Sequence, residues 1–193
     1  MKTLKVIVVA YERVIPLRIL ADCFLVQTDP HWEMYIIHDG PYPTDVMKVI
    51  PEDSRIHFTW SPTRNGKWGH PNRRHMLETL PMDNDDFVLI TNDDNYYVPQ
   101  FVAQMREGSR NDTGLIYCDC LHNYRQYDIL KSELKVNHID MGSFIVCAHV
   151  AKKVGFTSDA INADGFYAEA CAAYCDKYRL GITYVPRPLF VHN

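Results

Sequence analysis

The sequence has no long hydrophobic run and no excess of positive charge. Among its 193 residues, no stretch approaches the 18 or more consecutive apolar residues of a transmembrane helix. The apolar run near the N terminus is short and is interrupted by Glu12 and Arg13, which argues against a secretory signal peptide. A formal net charge of −4 argues against a nucleic-acid-binding surface. We therefore expect a cytoplasmic protein without a membrane span and without a nucleic-acid partner.

The six cysteines lack the spacing of a zinc ribbon. Cys118 and Cys120 lie two residues apart in a strand-like run, and Cys171 and Cys175 lie four apart in a helical pattern, so each pair shares a face. A chain of this length, with 47% hydrophobic residues, can build a core without disulfides. We expect buried free thiols in a reducing compartment.

Strand and helix patterns alternate through the first hundred residues. LKVIVVA, at residues 4–10, is a continuous and largely β-branched run, typical of a strand that is covered on both faces. Apolar runs at 34–37, 56–60 and 87–91 predict three further strands, with helical patterns between them. This alternation predicts an α/β fold with a mostly parallel sheet.

Residues 101–193 show a different pattern. We predict strands at 114–118, 142–147 and 182–185 and a helix over 164–178, whereas 121–136 is a loop or an antiparallel hairpin. The sequence has no linker and no internal repeat. We therefore expect a single domain over 1–193, with a parallel half (1–100) and a mixed half (101–193), and the pattern indicates no particular oligomeric state.

Polar clusters follow three of the predicted parallel strands, at residues 11–13, 38–40 and 92–94. In open parallel sheets, ligands bind outside the carboxyl ends of the strands. The adjacent carboxylates of Asp93 and Asp94 repel each other unless a cation or a donor lies between them. Mg²⁺ and Mn²⁺ typically take one or two protein carboxylates together with substrate phosphates. We expect Asp93 and Asp94 to hold such a cation, a solvated turn being the alternative.

Four motifs in order give the chain a family resemblance. They are VIVVAYERVIPLRILADCFLVQTDPHWEMYIIHDGPYP, RNGKWGHPNRRHMLETL with DDFVLITNDDNYYVPQFV, DMGSFIVCAHVAKKVGF, and NADGFYAEACAAY. Together they cover nearly the whole chain, and it resembles the family 2 nucleotide-sugar glycosyltransferases of the GT-A fold. The resemblance implies a Rossmann-like nucleotide-binding sheet, with donor binding in 1–100 and acceptor binding in 101–193.

The resemblance also implies roles for residues of the donor half. Asp39 would accept hydrogen bonds from the nucleobase, which we take to be uracil. Tyr11, by stacking, and Arg13 would line the nucleotide pocket. Asn92 and Asp93 would approach the ribose and the metal. The family has an aspartate where this chain has Asn92, which weakens the ribose assignment.

The resemblance also implies which residues bind the metal and which residue acts as the base. Asp94 would be the main ligand of Mn²⁺ or Mg²⁺, and His192 a distant second ligand. Asp164 would be the catalytic base, although the start of a helix is expected to lower its pKa.

Three further residues receive supporting roles. Asp140 is the substitute base and more plausibly contacts acceptor or sugar. Arg73, rather than Arg74, would bind phosphate or sugar, and Trp68 would touch donor or acceptor.

The predicted function is metal-dependent transfer of a hexosyl group from a UDP-sugar to a hydroxyl of a glycan or other acceptor, with inversion. One alternative is a catalytically degenerate member that binds nucleotide or glycan, which Asn92 favours. Another is a nucleotidyltransferase. That class needs a glycine-rich basic loop after the first strand, and AYERVIPLR contains no glycine.

Overall fold

The computed structural model describes residues 1–41 and 44–193, so the last two residues of the first motif lie outside the described part. Within that part, nine strands form one sheet. In chain order they are β1 (Leu4–Ala10), β2 (Trp32–His38), β3 (Ile56–Trp60), β4 (Phe87–Asn92), β5 (Tyr96–Tyr97), β6 (Thr113–His122), β7 (Asp128–Leu130), β8 (Phe144–Cys147) and β9 (Gly181–His192). The chain is thus a mixed α/β single domain.

The order of strands across the sheet is β3-β2-β1-β4-β8-β6-β9-β5, with β7 paired to β6. The pairs β1–β2, β1–β4 and β2–β3 are parallel, and β4 pairs with β8 in antiparallel fashion. Ala10 lies opposite His38, and Val9 lies opposite Asn92. The carboxyl ends of β1, β2 and β4 therefore meet at one edge, where the strands are parallel, and antiparallel pairing begins at β8.

Six α-helices accompany this sheet in the described part of the chain. They are α1 (Val14–Leu25), α2 (Thr44–Val49), α3 (His70–Thr79), α4 (Phe101–Glu107), α5 (Ala148–Val154) and α6 (Ala163–Tyr178). Every residue of β1 is buried, as its continuous apolar run predicts. The long helix α1 buries Leu17, Leu20, Ala21 and Phe24. Burial of apolar surface on both faces of the sheet holds the strand ends in place.

Two strands extend well beyond the ends that the sequence patterns predict, while β2 gains only three residues, Trp32, Glu33 and His38. β6 continues to His122 and pairs with β7, so the segment after 121 begins as an antiparallel hairpin. β9 continues past Val185 to His192, although it contains Pro186 and Pro188. Its register with β6 shifts at this point, from Cys118 opposite Val185 to Asp119 opposite Pro188. Prolines are tolerated at such irregularities because a ladder hydrogen bond is already lost there. The extension places His192 opposite His122.

All six cysteines are free, and five of them are buried, as predicted. In residues 1–41 and 44–193, no helix is both long and apolar enough to cross a membrane.

Candidate active site

All eleven site residues predicted from the sequence line one cleft with a volume of about 850 Å³. They are Tyr11, Arg13, Asp39, Trp68, Arg73, Asn92, Asp93, Asp94, Asp140, Asp164 and His192. The carboxyl ends of the parallel strands form one wall of the cleft, and the mixed region forms the opposite wall. The roles assigned to these residues stay predictions.

Arg13 lies over the adjacent carboxylates of Asp93 and Asp94. Its Nη1 is 3.3 Å from Oδ1 of Asp93 and also donates to Oδ2 of Asp94. The backbone N–H of Tyr11 donates to the other oxygen of Asp93 over 3.1 Å. Burial, with a smaller contribution from the neighbouring Asp94, raises the pKa of Asp93 to about 6, against the lowering effect of the Tyr11 amide and Arg13. The carboxylate pair is therefore compensated by a guanidinium.

Asp94 retains one oxygen for a further ligand. Its Oδ1 is buried and has no hydrogen-bond partner among the described residues, and a buried carboxylate oxygen without a partner is costly. Residues 1–41 and 44–193 contain no group of three or more His, Cys, Asp or Glu residues arranged around a common metal position. Magnesium and manganese sites that are completed by substrate phosphates need only one or two carboxylates. The donor set thus fits a divalent cation that binds together with a phosphate-bearing ligand.

Asp39 follows β2 and is buried. Its Oδ1 accepts hydrogen bonds from the backbone N–H of Asn65 and from the Asn72 amide, both over 2.8 Å, and its Oδ2 accepts from the Gly66 N–H over 2.9 Å. A carboxylate offers about four acceptor positions, so about one remains on Asp39 for a ligand. Two of these three contacts come from the loop at residues 61–69, here called the glycine-rich loop, so Asp39 holds this loop in place.

Tyr11 presents its ring to the cleft. It stacks on His38 with 5.8 Å between the ring centroids, and the Arg64 guanidinium lies 3.8 Å from the Tyr11 centroid. Arg64 was not predicted as a site residue, because no periodicity or spacing marks a loop arginine that stacks on an aromatic ring distant in the sequence. A planar nucleobase that enters here meets the ring of Tyr11, which is already covered by the guanidinium of Arg64.

Arg73 is 4% exposed, and its guanidinium is held by neighbouring groups. It donates to the carbonyl of Trp68 over 2.5 Å and to Oδ1 of Asn92 over 2.6 Å, and its Nη1 lies 2.8 Å from Nδ1 of His70. Burial lowers the pKa of Arg73 to about 10, against the raising effect of the cleft carboxylates, so it is charged at neutral pH. Arg74 instead binds the carbonyl of Phe156. Arg73 contributes positive charge from beneath the cleft.

Asp164 lies in the first turn of α6. Burial raises its pKa to about 6, Asp140 adds to the increase, and the N–H of Gly165, which donates to Oδ1 over 2.8 Å, only partly offsets it. The expected lowering of this pKa by the helix start is wrong, because the cost of desolvating the carboxylate exceeds the helix-dipole effect. Glu169, further along α6, accepts from the Val136 N–H instead.

His192 and Asp140 form an ion pair at the end of β9. Nδ1 of His192 lies 2.6 Å from Oδ2 of Asp140, although the orientation is not that of a hydrogen bond. Burial alone would lower the pKa of His192, but Asp140, with Asp94 and Asp164 nearby, raises it overall. The Asp140 carboxylate also accepts from the Gly142 N–H over 3.0 Å. His192 is therefore next to Asp140, rather than free beside Asp94.

The glycine-rich loop carries Trp68 to the rim of the cleft. Trp68 is 62% exposed, and the four residues 66–69 all have positive φ, at 62°, 49°, 52° and 81°. Positive φ is costly for residues other than glycine, such as Lys67 and Trp68. Nζ of Lys67 lies 2.6 Å from Asp159, which belongs to the opposite wall. The loop therefore connects the two walls across the rim.

The sequence matches no protein-family model and no curated protein. Solved structures do match it. S. aureus TarS 1–349 aligns with 99% of this chain and 60% of its own, at 13% identity and a TM-score of 0.72. Its complex with UDP-GlcNAc aligns with 98% of this chain and 58% of its own, at 14% identity and a TM-score of 0.71.

A third similar structure is the mannosyltransferase PcManGT from Pyrobaculum calidifontis, in complex with GDP-Man and Mn²⁺. It aligns with 98% of this chain and 56% of its own, at 13% identity and a TM-score of 0.68. The chain has a glycosyltransferase fold. The family resemblance predicted from the sequence is thus confirmed at the level of the fold. The chain spans about 60% of the length of TarS 1–349.

Proposed function

We propose that the chain transfers a hexosyl group from a UDP-sugar to an acceptor hydroxyl, with inversion, and that it requires Mn²⁺ or Mg²⁺. One observation carries this proposal. The cleft of a glycosyltransferase fold contains a compensated carboxylate pair on one wall and, on the other, a partly buried carboxyl group whose pKa is about 6. Those are the two elements that glycosyl transfer needs: a site for the diphosphate and its cation, and a base for the acceptor.

The donor would bind along the ends of the parallel strands. The nucleobase would lie against Tyr11 near Asp39, and the diphosphate near Arg13 and the carboxylates of Asp93 and Asp94. A divalent cation bound there would stabilise, as a Lewis acid, the negative charge that develops on the leaving diphosphate. Arg13 would add charge-assisted hydrogen bonds to phosphate oxygens. A solved neighbour in complex with GDP-Man and Mn²⁺ supports this choice of ligands.

Asp164 would act on the acceptor. As the acceptor oxygen attacks the anomeric carbon, the bond from that carbon to the diphosphate oxygen breaks, and the hydroxyl proton passes to the Asp164 carboxylate. A pKa of about 6 leaves Asp164 mostly ionised at neutral pH and makes it more basic than an ordinary aspartate. Asp140, bound to His192 and to the Gly142 N–H, would position the acceptor or the sugar.

A non-catalytic nucleotide-binding or glycan-binding role is the second candidate. The observation that favours it is the position of Arg13, which satisfies much of the carboxylate pair without a metal.

Donor cleavage tests the proposal. The protein is incubated with Mn²⁺ and a panel of UDP-sugars and GDP-mannose, and release of nucleoside diphosphate is followed by chromatography. We expect one UDP-sugar to be cleaved in a reaction that stops when the metal is chelated. Binding of UDP without cleavage of any donor would favour the non-catalytic role. Formation of a UDP-sugar from UTP and a sugar 1-phosphate would indicate a nucleotidyltransferase.

A further inference from the structure

Arg13 occupies the position that a cation would take between two carboxylates. It is within 3.3 Å of Asp93 and is bonded to Asp94. A guanidinium is always charged at physiological pH, so it compensates the carboxylate pair whether or not a metal is present. A divalent cation that binds Asp94 through Oδ2 competes directly with Arg13, and one that binds the buried Oδ1 lies close to the guanidinium and is repelled by it.

We propose that Arg13 is a resident counter-cation that keeps Mn²⁺ off Asp94 until a nucleoside diphosphate draws it away. This inference rests on the proposed function, because it assumes a donor diphosphate beside the pair. It assigns Arg13 a role beyond lining the nucleotide pocket: it makes metal binding conditional on the donor.

The exposure of the three side chains supports this exchange. The Arg13 side chain is 53% exposed, whereas those of Asp93 and Asp94 are 6% and 15% exposed. The carboxylates are therefore largely enclosed, whereas the guanidinium has solvent on one side, into which it can move without displacing other side chains. Arg13 precedes the first turn of α1, and its side chain makes no capping hydrogen bond that would be lost when it moves.

The ligand that could draw Arg13 away is an anion with several oxygens. Guanidinium groups bind phosphate through two parallel hydrogen bonds, which are stronger and more directional than a single contact to a carboxylate oxygen. Arg73, the other guanidinium close to the pair, cannot exchange in this way because it is buried and bound to Trp68, His70 and Asn92. Arg13 is thus suited to exchange between carboxylate and phosphate.

The consequence is cooperative binding. If UDP moves Arg13 from Asp94, UDP raises the affinity for Mn²⁺, and by linkage Mn²⁺ raises the affinity for UDP by the same factor. Part of any such coupling would come from direct contact between metal and diphosphate. The part that depends on Arg13 must disappear when the charge of Arg13 is removed.

The test measures Mn²⁺ binding by electron paramagnetic resonance, with and without UDP, in the wild type and three variants of the full chain. Arg13→Met keeps the length of the stem and removes the charge, whereas Arg13→Lys keeps the charge. Arg64→Met is the matched control, since it removes a cation from the same cleft that contacts the Tyr11 ring rather than the carboxylate pair. Equal circular dichroism spectra check folding.

We expect R13M to bind Mn²⁺ alone about tenfold more tightly than the wild type, with a smaller enhancement by UDP. R13K and R64M should stay close to the wild type. If R13M binds Mn²⁺ alone no more tightly than the wild type does, the inference is overturned. Tight Mn²⁺ binding to the wild type without UDP would overturn it as well. If Mn²⁺ binds no form even with UDP, the proposed function itself fails.

Discussion

The cleft contains two pairs of acidic residues, and they are compensated in different ways. Asp93 and Asp94, at the end of a parallel strand, share the guanidinium of Arg13. Asp140 and Asp164, on the mixed side, have the imidazole of His192 beside Asp140. In each pair one member, Asp93 or Asp164, has a pKa raised to about 6, mainly by burial.

The two counter-ions suit two different tasks. Arg13 is half exposed and permanently charged, so it can be displaced without a change of protonation. The His192 side chain is only 20% exposed and is a titratable group held against Asp140. This difference supports our proposal that the first pair binds the cation and the phosphate, and that Asp164 accepts the proton.

The largest difference between the two carboxylate pairs is expected when the proposed base, Asp164, is removed. Asp164→Asn keeps the shape of the side chain and removes its basicity, so donor turnover should fall by about 10²–10⁴-fold. UDP and Mn²⁺ binding should be unchanged, because these ligands are assigned to the other pair. Steady-state turnover together with UDP titration by calorimetry measures both effects.

Asp140→Asn is the matched control for that variant. It removes the neighbouring negative charge that helps to raise the pKa of Asp164, so the acid limb of the turnover–pH profile, near pH 6 in the wild type, should move to lower pH. Wild-type turnover by D164N would show that the base lies elsewhere. A loss in D140N as large as that in D164N would assign the base to the Asp140 side of the pair.

The same Asp164→Asn change should stabilise the fold at neutral pH. The folded-state pKa of Asp164, about 6, lies above the ordinary value of 3.8, so the native state binds more protons than the unfolded state between these values. The free energy of unfolding of the wild type therefore falls as pH rises through this window. D164N lacks this loss and should be more stable by up to about 3 kcal/mol above pH 7.

Urea denaturation at pH 7.5 and at pH 4 measures this difference. The advantage of D164N should shrink as the pH falls below 6 and vanish near 4. Asp128→Asn, at an exposed position of the hairpin, is the control and should change stability little at either pH. A D164N variant that is less stable than the wild type at pH 7.5 would contradict the burial cost assigned to this carboxylate.

Two glycines of the glycine-rich loop provide a test with a smaller expected effect, on stability alone. At Gly69, with φ +81°, an added Cβ would lie 2.7 Å from Cγ1 of Val9 in β1, whereas at Gly66, with φ +62°, no described neighbouring atom lies within 4 Å of it. Gly66, with ψ −140°, has a backbone conformation that is essentially restricted to glycine, so Gly66→Ala should cost about 1–3 kcal/mol through backbone strain alone. Gly69→Ala should cost about 1–2 kcal/mol through its left-handed backbone and about 1–3 kcal/mol more through overpacking against Val9. A Gly69→Ala variant that melts at or above the temperature of Gly66→Ala would show that the loop does not pack on β1 as described.

The sequence predicted where the site lies because strand ends can be located from local patterns. Apolar runs fix the ends of β1, β2 and β4, and parallel pairing then brings Tyr11, Asp39 and Asp93 to one edge. The antiparallel hairpin after β6 was one of two predicted alternatives. The length of β9 was missed, because the prolines at 186 and 188 suggest a strand end but lie at a register shift.

The partners of the site residues could not be predicted from local patterns. Hydrogen bonds from the glycine-rich loop to Asp39, the burial of Arg73 and the position of Arg13 over Asp93 all depend on residues far apart in the chain. The pKa of Asp164 is the clearest case. Its place in the helix is a local property, whereas the burial that outweighs the helix dipole is a property of the assembled cleft.

The proposal predicts that Asp94 binds a metal and that this metal binds the diphosphate of the donor. A thermal-shift titration with UDP, with and without Mn²⁺, is the measurement that decides this. A ligand that binds only the folded state stabilises it by about 2.7 kcal/mol at a hundredfold excess over its dissociation constant. We predict a rise in melting temperature that increases with Mn²⁺, and loss of the Mn²⁺-dependent part in Asp94→Ala. The absence of any shift with UDP or GDP, with or without metal, would contradict the account.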